Sequence, residues 1–173
     1  VNIDEMSTYL SNPKKIIELN GEGASMGENF VTISTDKSSS TSKNLTTSLN
    51  QFFTALQPIG AEFGYRTASE IQTLFGQIGV INEDYEDKEN EKIDIAIMQK
   101  LLPKLHGSRS KLVPVLKTLA ALCYEQNEKM KKDSIFEEDK EPTQKVLYTI
   151  SLEKITRMYH NVIANGFTSY AEA

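Results

Sequence analysis

With 173 residues, 39% of them hydrophobic and 25% charged, the chain has the composition of one soluble globular domain, with polar residues to spare for loops. Its formal charge of -5, from 24 acids against 16 Lys and three Arg, makes the average surface mildly acidic, so any nucleic-acid contact must come from a local patch. One cysteine, Cys123, excludes an intramolecular disulfide and a cysteine-rich zinc site and fits a reducing, cytoplasmic setting. No apolar run reaches the ~18 residues needed to cross a bilayer, and no basic-then-apolar leader opens the sequence, so neither a membrane-spanning nor a secreted protein is expected.

Residues 1–20 open with a short strand-like run, turn at Asn12-Pro13 and end on Ile16-Ile17-Glu18-Leu19, too little to fold alone. Residues 21–43 are rich in Gly, Ser and Thr and read as a connection carrying at most the short strand Phe30-Val31-Thr32-Ile33. The organised part is 44–173.

There Leu45, Leu49, Phe52, Phe53 and Leu56 fall on one face of a helix that ends at Pro58. Thr67-Ala68-Ser69-Glu70 has the spacing of a capping box, with Ile71, Leu74, Phe75 and Ile78 behind it, which predicts a helix start with Arg66 just outside. The acidic stretch 82–92 is a loop, and Ile93 to Leu102 is a buried helix stopped near Pro103. Gly107-Ser108 offers a new cap for a helix running to about Glu125, with Pro114 in its early turns. Residues 126–146 form a charged surface excursion, and a last helix from Ser151 stops at Gly166. The expectation is a mainly α bundle of about five helices, preceded by a partly strand-like remnant.

Little chemistry is visible from residue types alone. The chain has no GxxxxGK[ST] loop to cradle nucleotide phosphates, and Gly21 to Gly27 lacks both the Lys and a following helix. His106 and His160 fall into no metal-ligand spacing, no serine stands in a nucleophile elbow, and Cys123 lies on an apolar helix face. Between Ile95 and Tyr124 there is no acid, while Lys100, Lys104, Arg109, Lys111 and Lys117, with His106 among them, make the best candidate for a phosphate- or DNA-facing patch. A solvated lysine face explains the same run.

Four stretches carry a resemblance. Val1-Asn2-Ile3-Asp4-Glu5, Pro58 to Thr67 (PIGAEFGYRT), Met98 to Ser108 (MQKLLPKLHGS), and Ser151 to Ile155 with Asn165 to Tyr170 (NGFTSY) stand in the order found in the C-terminal part of McrB-like AAA+ NTPases of methylcytosine-dependent restriction systems. The chain resembles that family from the sensor 1 strand through the helical lid, over about 110 of the 173 residues at least loosely. The resemblance implies that residues 1–20 are the end of an AAA+ α/β core, that 44–173 is the lid, that Asn2 is sensor 1 orienting the attacking water, and that Arg66 is sensor 2 reaching the terminal phosphates; the residue pattern alone favours instead a surface pair of Arg66 with Glu62, Glu70 or another carboxylate.

It also implies an intact parent that binds ATP or GTP with Mg, assembles as a homo-hexamer and drives a McrC-like nuclease subunit on DNA. The missing core of the same protein would then be the lid's first partner. Without Walker A and Walker B the 173 residues are expected to be inactive alone and to hold no cofactor of their own. The sequence departs from the family after sensor 1: Ser11 to Leu19 keeps Pro13-Lys14 but has no Arg, and Lys14 or Lys15 is a poor substitute for a bidentate guanidinium, so no arginine finger is assigned. A helical adaptor that binds nucleic acid or protein through the basic face 100–117 is the alternative.

Overall fold

The computed structural model describes residues 42–81, 83–126, 135–136 and 144–173. Asn2, the expected core remnant 1–20, the connection up to Thr41 and most of the expected excursion 126–146 lie outside the described residues.

Five α-helices build the described part. Helix α1 (Lys43–Leu56) opens on Ser42, whose Oγ accepts the amide of Leu45 at 2.9 Å and whose backbone is extended, the arrangement of an N-cap. The predicted stripe is its buried face: Leu45, Leu49, Phe52 and Leu56 are inside, and each such side chain contributes about 1.5–3 kcal/mol of burial. Pro58 sits in a 3-10 turn, Gln57–Ile59, and Gly60 at φ 66° closes it in the left-handed region.

Helix α2 (Tyr65–Ile81) starts two residues before the expected capping box. Ala68 already donates its amide to Gly64 at 3.1 Å, so Thr67 is inside the helix and Arg66 is its second residue, not a flanking one. The capping-box reading is therefore corrected: the Glu70 carboxylate is engaged by Arg66 and Lys100.

The acidic loop gives way earlier than expected to helix α3 (Glu89–Ala96), whose first-turn Glu89 and Glu91 suit the helix dipole. The expected single helix to Pro103 is three structures in series: α3, a π-helical stretch Ile97–Leu101, and a 3-10 turn Leu102–Lys104 that Pro103 enters. Ile93, Ala96, Ile97, Leu101 and Leu102 are all buried along this run.

Two three-residue strands, β1 (His106–Ser108) and β2 (Phe167–Ser169), pair antiparallel with His106 opposite Ser169 and Ser108 opposite Phe167. Their ladder is extended at both ends, by the Arg109 amide on the Gly166 carbonyl (2.8 Å) and the Tyr170 amide on the Leu105 carbonyl (3.0 Å). Helix α4 (Arg109–Leu122) follows Ser108 and carries Pro114 in its interior. Helix α5 (Thr149–Asn165) is stopped by Gly166 at φ 76°, as the sequence predicts.

Leu112, Leu116 and Leu119 of α4 and Ile155, Met158 and Val162 of α5 share one core with the α1 stripe and with Ile71 and Phe75 of α2. The fold is mainly α, with one small sheet tying the start of α4 to the end of α5. At the edge of the excursion Tyr124 bridges Val146, and Phe136 stacks on Tyr159 with ring centroids 3.9 Å apart. No helix is long and apolar enough to cross a membrane among the described residues.

Candidate functional site

The start of α2 projects two unusually bare side chains. Gly60 turns the chain, Ala61 to Gly64 run without regular structure, and the helix then begins on Tyr65, 98% exposed, and Arg66, whose side chain is 94% exposed. The first turn of α2 holds no acid, so the cation stands at the positive end of a helix dipole, a position that favours a nearby anion.

One turn on, Glu70 supplies that anion from within the chain. Arg66 Nε donates to Glu70 Oε1 at 3.0 Å, and Lys100 Nζ donates to Glu70 Oε2 at 3.2 Å. Two cations thus share one carboxylate. Hydrogen bonds first from Arg66 and then from Lys100, with the charge of Lys100 beside them, hold the Glu70 carboxyl below the usual carboxylate range. The triad is open to solvent, with side-chain exposure of 94% for Arg66, 41% for Glu70 and 35% for Lys100. Exposed pairs of this kind contribute little to stability, because water and salt compete for the same groups.

Lys100 lies in the π-helical stretch that continues α3. A π turn is rare, closes its hydrogen bonds one residue further on than an α turn, and occurs frequently at functional sites. The other residues of the basic run take different elements. Lys104 ends the 3-10 turn and is half-buried, with its carbonyl 3.2 Å from His106 Nδ1; His106 is exposed on β1; Arg109 and Lys111 are exposed on the first turn of α4. The acid-free stretch of sequence is therefore met in space by an acid from α2, at Lys100.

The sequence offers Glu70 both as a cap and as a surface partner of Arg66, and the second is what the structure shows; it gives no role to Asp94. The signal for Asp94 was present: a lone acid inside Ile93-Asp94-Ile95-Ala96-Ile97. In the structure it is 3% exposed, and its two carboxylate oxygens accept the amides of Ile150 and Ser151, each at 2.8 Å, at the start of α5. Its work is architectural.

Cys123 is fully buried, its thiol donates to the Leu119 carbonyl at 3.3 Å, and burial, with the charge of Asp94 behind it, pushes the thiol's pKa well up. That is a core residue and not a nucleophile. No cluster of three or more His, Cys, Asp or Glu able to hold a metal ion occurs among the described residues. Two clefts border α1, one of about 560 Å³ reaching Ser48, Tyr124 and Tyr148 and one of about 660 Å³ between α1 and α4; Arg66 and Lys100 line neither.

The stretches that carry the resemblance do meet in part. Residues 106–108 and 167–169 are the two paired strands, and Ser151, at the head of the fourth stretch, is held by Asp94. No curated protein and no solved structure matches the chain. A family model described as a domain of unknown function (DUF8727) matches residues 16–167, across the expected connection, through all of α5 and to the first residue of β2, and the chain belongs to that family.

Proposed function

We propose that this chain is the C-terminal lid end of a McrB-like AAA+ NTPase, in which α2 presents Arg66 to the terminal phosphates of a nucleotide gripped by a core beyond these residues. The observation that carries the reading is the bare guanidinium of Arg66 on the first turn of α2, bonded through Nε to an exposed carboxylate that a phosphate can replace. The position is the one the resemblance gives to sensor 2. On this reading Asn2 is sensor 1, the nucleotide is ATP or GTP with Mg, the parent is a cytoplasmic homo-hexamer, and hydrolysis drives a McrC-like nuclease on DNA.

The open reading frame upstream of Val1 should encode Walker A and Walker B in frame. In the protein it encodes, Arg66→Ala should lower the hydrolysis rate by about 100-fold or more, the scale of losing one donor to a developing oxyanion charge. The 173-residue chain by itself should not turn over nucleotide. Robust hydrolysis by that chain, or a stop codon and ribosome-binding site directly before Val1, would sink the reading and favour a free-standing helical adaptor.

A further inference from the structure

The cluster at Glu70 contains more than a single exposed pair. Glu70 Oε1 is taken by Arg66 and Oε2 by Lys100, so one carboxylate gathers cations from α2 and from the π-helical stretch, 30 residues apart in sequence, onto one spot. The cluster carries one positive charge in excess, and each member is exposed enough to exchange its partner. Arg66 uses only Nε here, which leaves the outer fork of the guanidinium for a second oxyanion. Lys100 sits in the π-helical stretch Ile97–Leu101, a backbone form that occurs frequently at functional sites.

We infer that Arg66 and Lys100 form a two-cation phosphate site whose resting counter-ion is Glu70. An incoming polyphosphate displaces the carboxylate, and the planar guanidinium and the ammonium each take oxygens of its terminal groups. The inference deepens the lid reading and rests on it for the natural ligand, a nucleoside triphosphate, whereas the site itself can be tested without a nucleotide.

The probe is sodium tripolyphosphate added to the 173-residue chain at low ionic strength, followed by NMR shifts of the Arg66 Nε and Lys100 Nζ groups. Arg66→Ala and Lys100→Ala should each weaken binding about fivefold, the upper range for one exposed ionic contact. Glu70→Gln should strengthen it by a similar factor, because the competing charge is gone. Arg157→Ala, which removes one charge from the exposed Glu153–Arg157 pair on α5, is the control and should leave affinity unchanged.

Equal losses in Arg157→Ala and Lys100→Ala, or no gain in Glu70→Gln, would overturn the site. Failure here is separable from failure of the lid reading. If Arg66→Ala abolishes hydrolysis in the intact parent while Lys100→Ala changes neither KM nor tripolyphosphate binding, the pair is wrong and the lid stands. If the tripolyphosphate pattern holds but Arg66→Ala leaves hydrolysis intact, the site stands and the lid reading falls.

Discussion

Asp94, in α3, accepts the amide of Ser151 at 2.8 Å from 57 residues further along the chain, and Ser151 returns its hydroxyl to the Asp94 carbonyl at 3.2 Å. With the Ile150 amide on the other oxygen, a buried carboxylate of one helix caps the start of another. Tyr148, the residue in the N-cap position itself, makes no such bond with its side chain. The free amides that begin any helix are here satisfied by tertiary structure.

Replacing that carboxylate should therefore be felt globally. Asp94→Ala leaves two amides without acceptors inside the fold and should cost about 2–4 kcal/mol, while Asp94→Asn, which keeps one acceptor, should cost about 1–2 kcal/mol. Urea unfolding measures both. Equal stability of Asp94→Ala and the parent chain would show that water satisfies the α5 amides.

Arg66→Ala, by contrast, should change stability by no more than about 0.5 kcal/mol, as at other bare surface positions. Its effect belongs to Glu70, whose depressed carboxyl should titrate closer to the ordinary range when either Arg66 or Lys100 is removed. The side-chain carbon shift of Glu70 followed against pH reads this directly; an unmoved midpoint in both variants would mean that the triad does not form in solution.

Gly166 holds φ 76° with open space where a Cβ would stand, and its carbonyl accepts the Arg109 amide. Gly166→Ala meets no neighbour, so its cost is the backbone conformation alone, about 1 kcal/mol. A drop in the thermal midpoint of a few degrees should accompany it. A loss several times greater would mean that the β1–β2 pairing breaks as well.

Alkaline pH should unfold the domain through Cys123. Burial raises the pKa of its thiol in the folded state, so the stability it contributes is fully present below the unfolded value of about 8.5 and is lost as pH climbs above it. Tyr148, raised mainly by burial, adds to the same limb from about pH 10 upward, whereas Lys154, lowered mainly by burial, works in the opposite direction. Cys123→Ala should flatten the fall between about pH 8.5 and 10. Parallel pH profiles for the two proteins would contradict this.

The elements legible in the sequence were those whose period decides them. The α1 stripe from Leu45 to Leu56 and the Gly166 stop need only local rules, and both are present. The start of α2 was misjudged because Thr67 and Glu70 have the spacing of a capping box, and spacing cannot reveal a stronger partner arriving from Lys100. Strands of three residues leave no alternation to read, and the π turn at Ile97–Leu101 leaves no trace in an apolar run. For the candidate site, Arg66 stands out only through the resemblance, while its neighbours in sequence point to the surface pair with Glu70 that the structure shows. That Glu70 joins it to Lys100 is a fact of packing between elements.

The small sheet and helix α5 also set an order of events on the ribosome. Tyr148 and α5, which sit against Ser48 and Phe52 of α1 and fill the core beside α4, are made after everything they cover. Until they emerge, α1 and α4 lack Ile155, Met158 and Val162, which share their core, so the packing of the domain is completed only once α5 has been made.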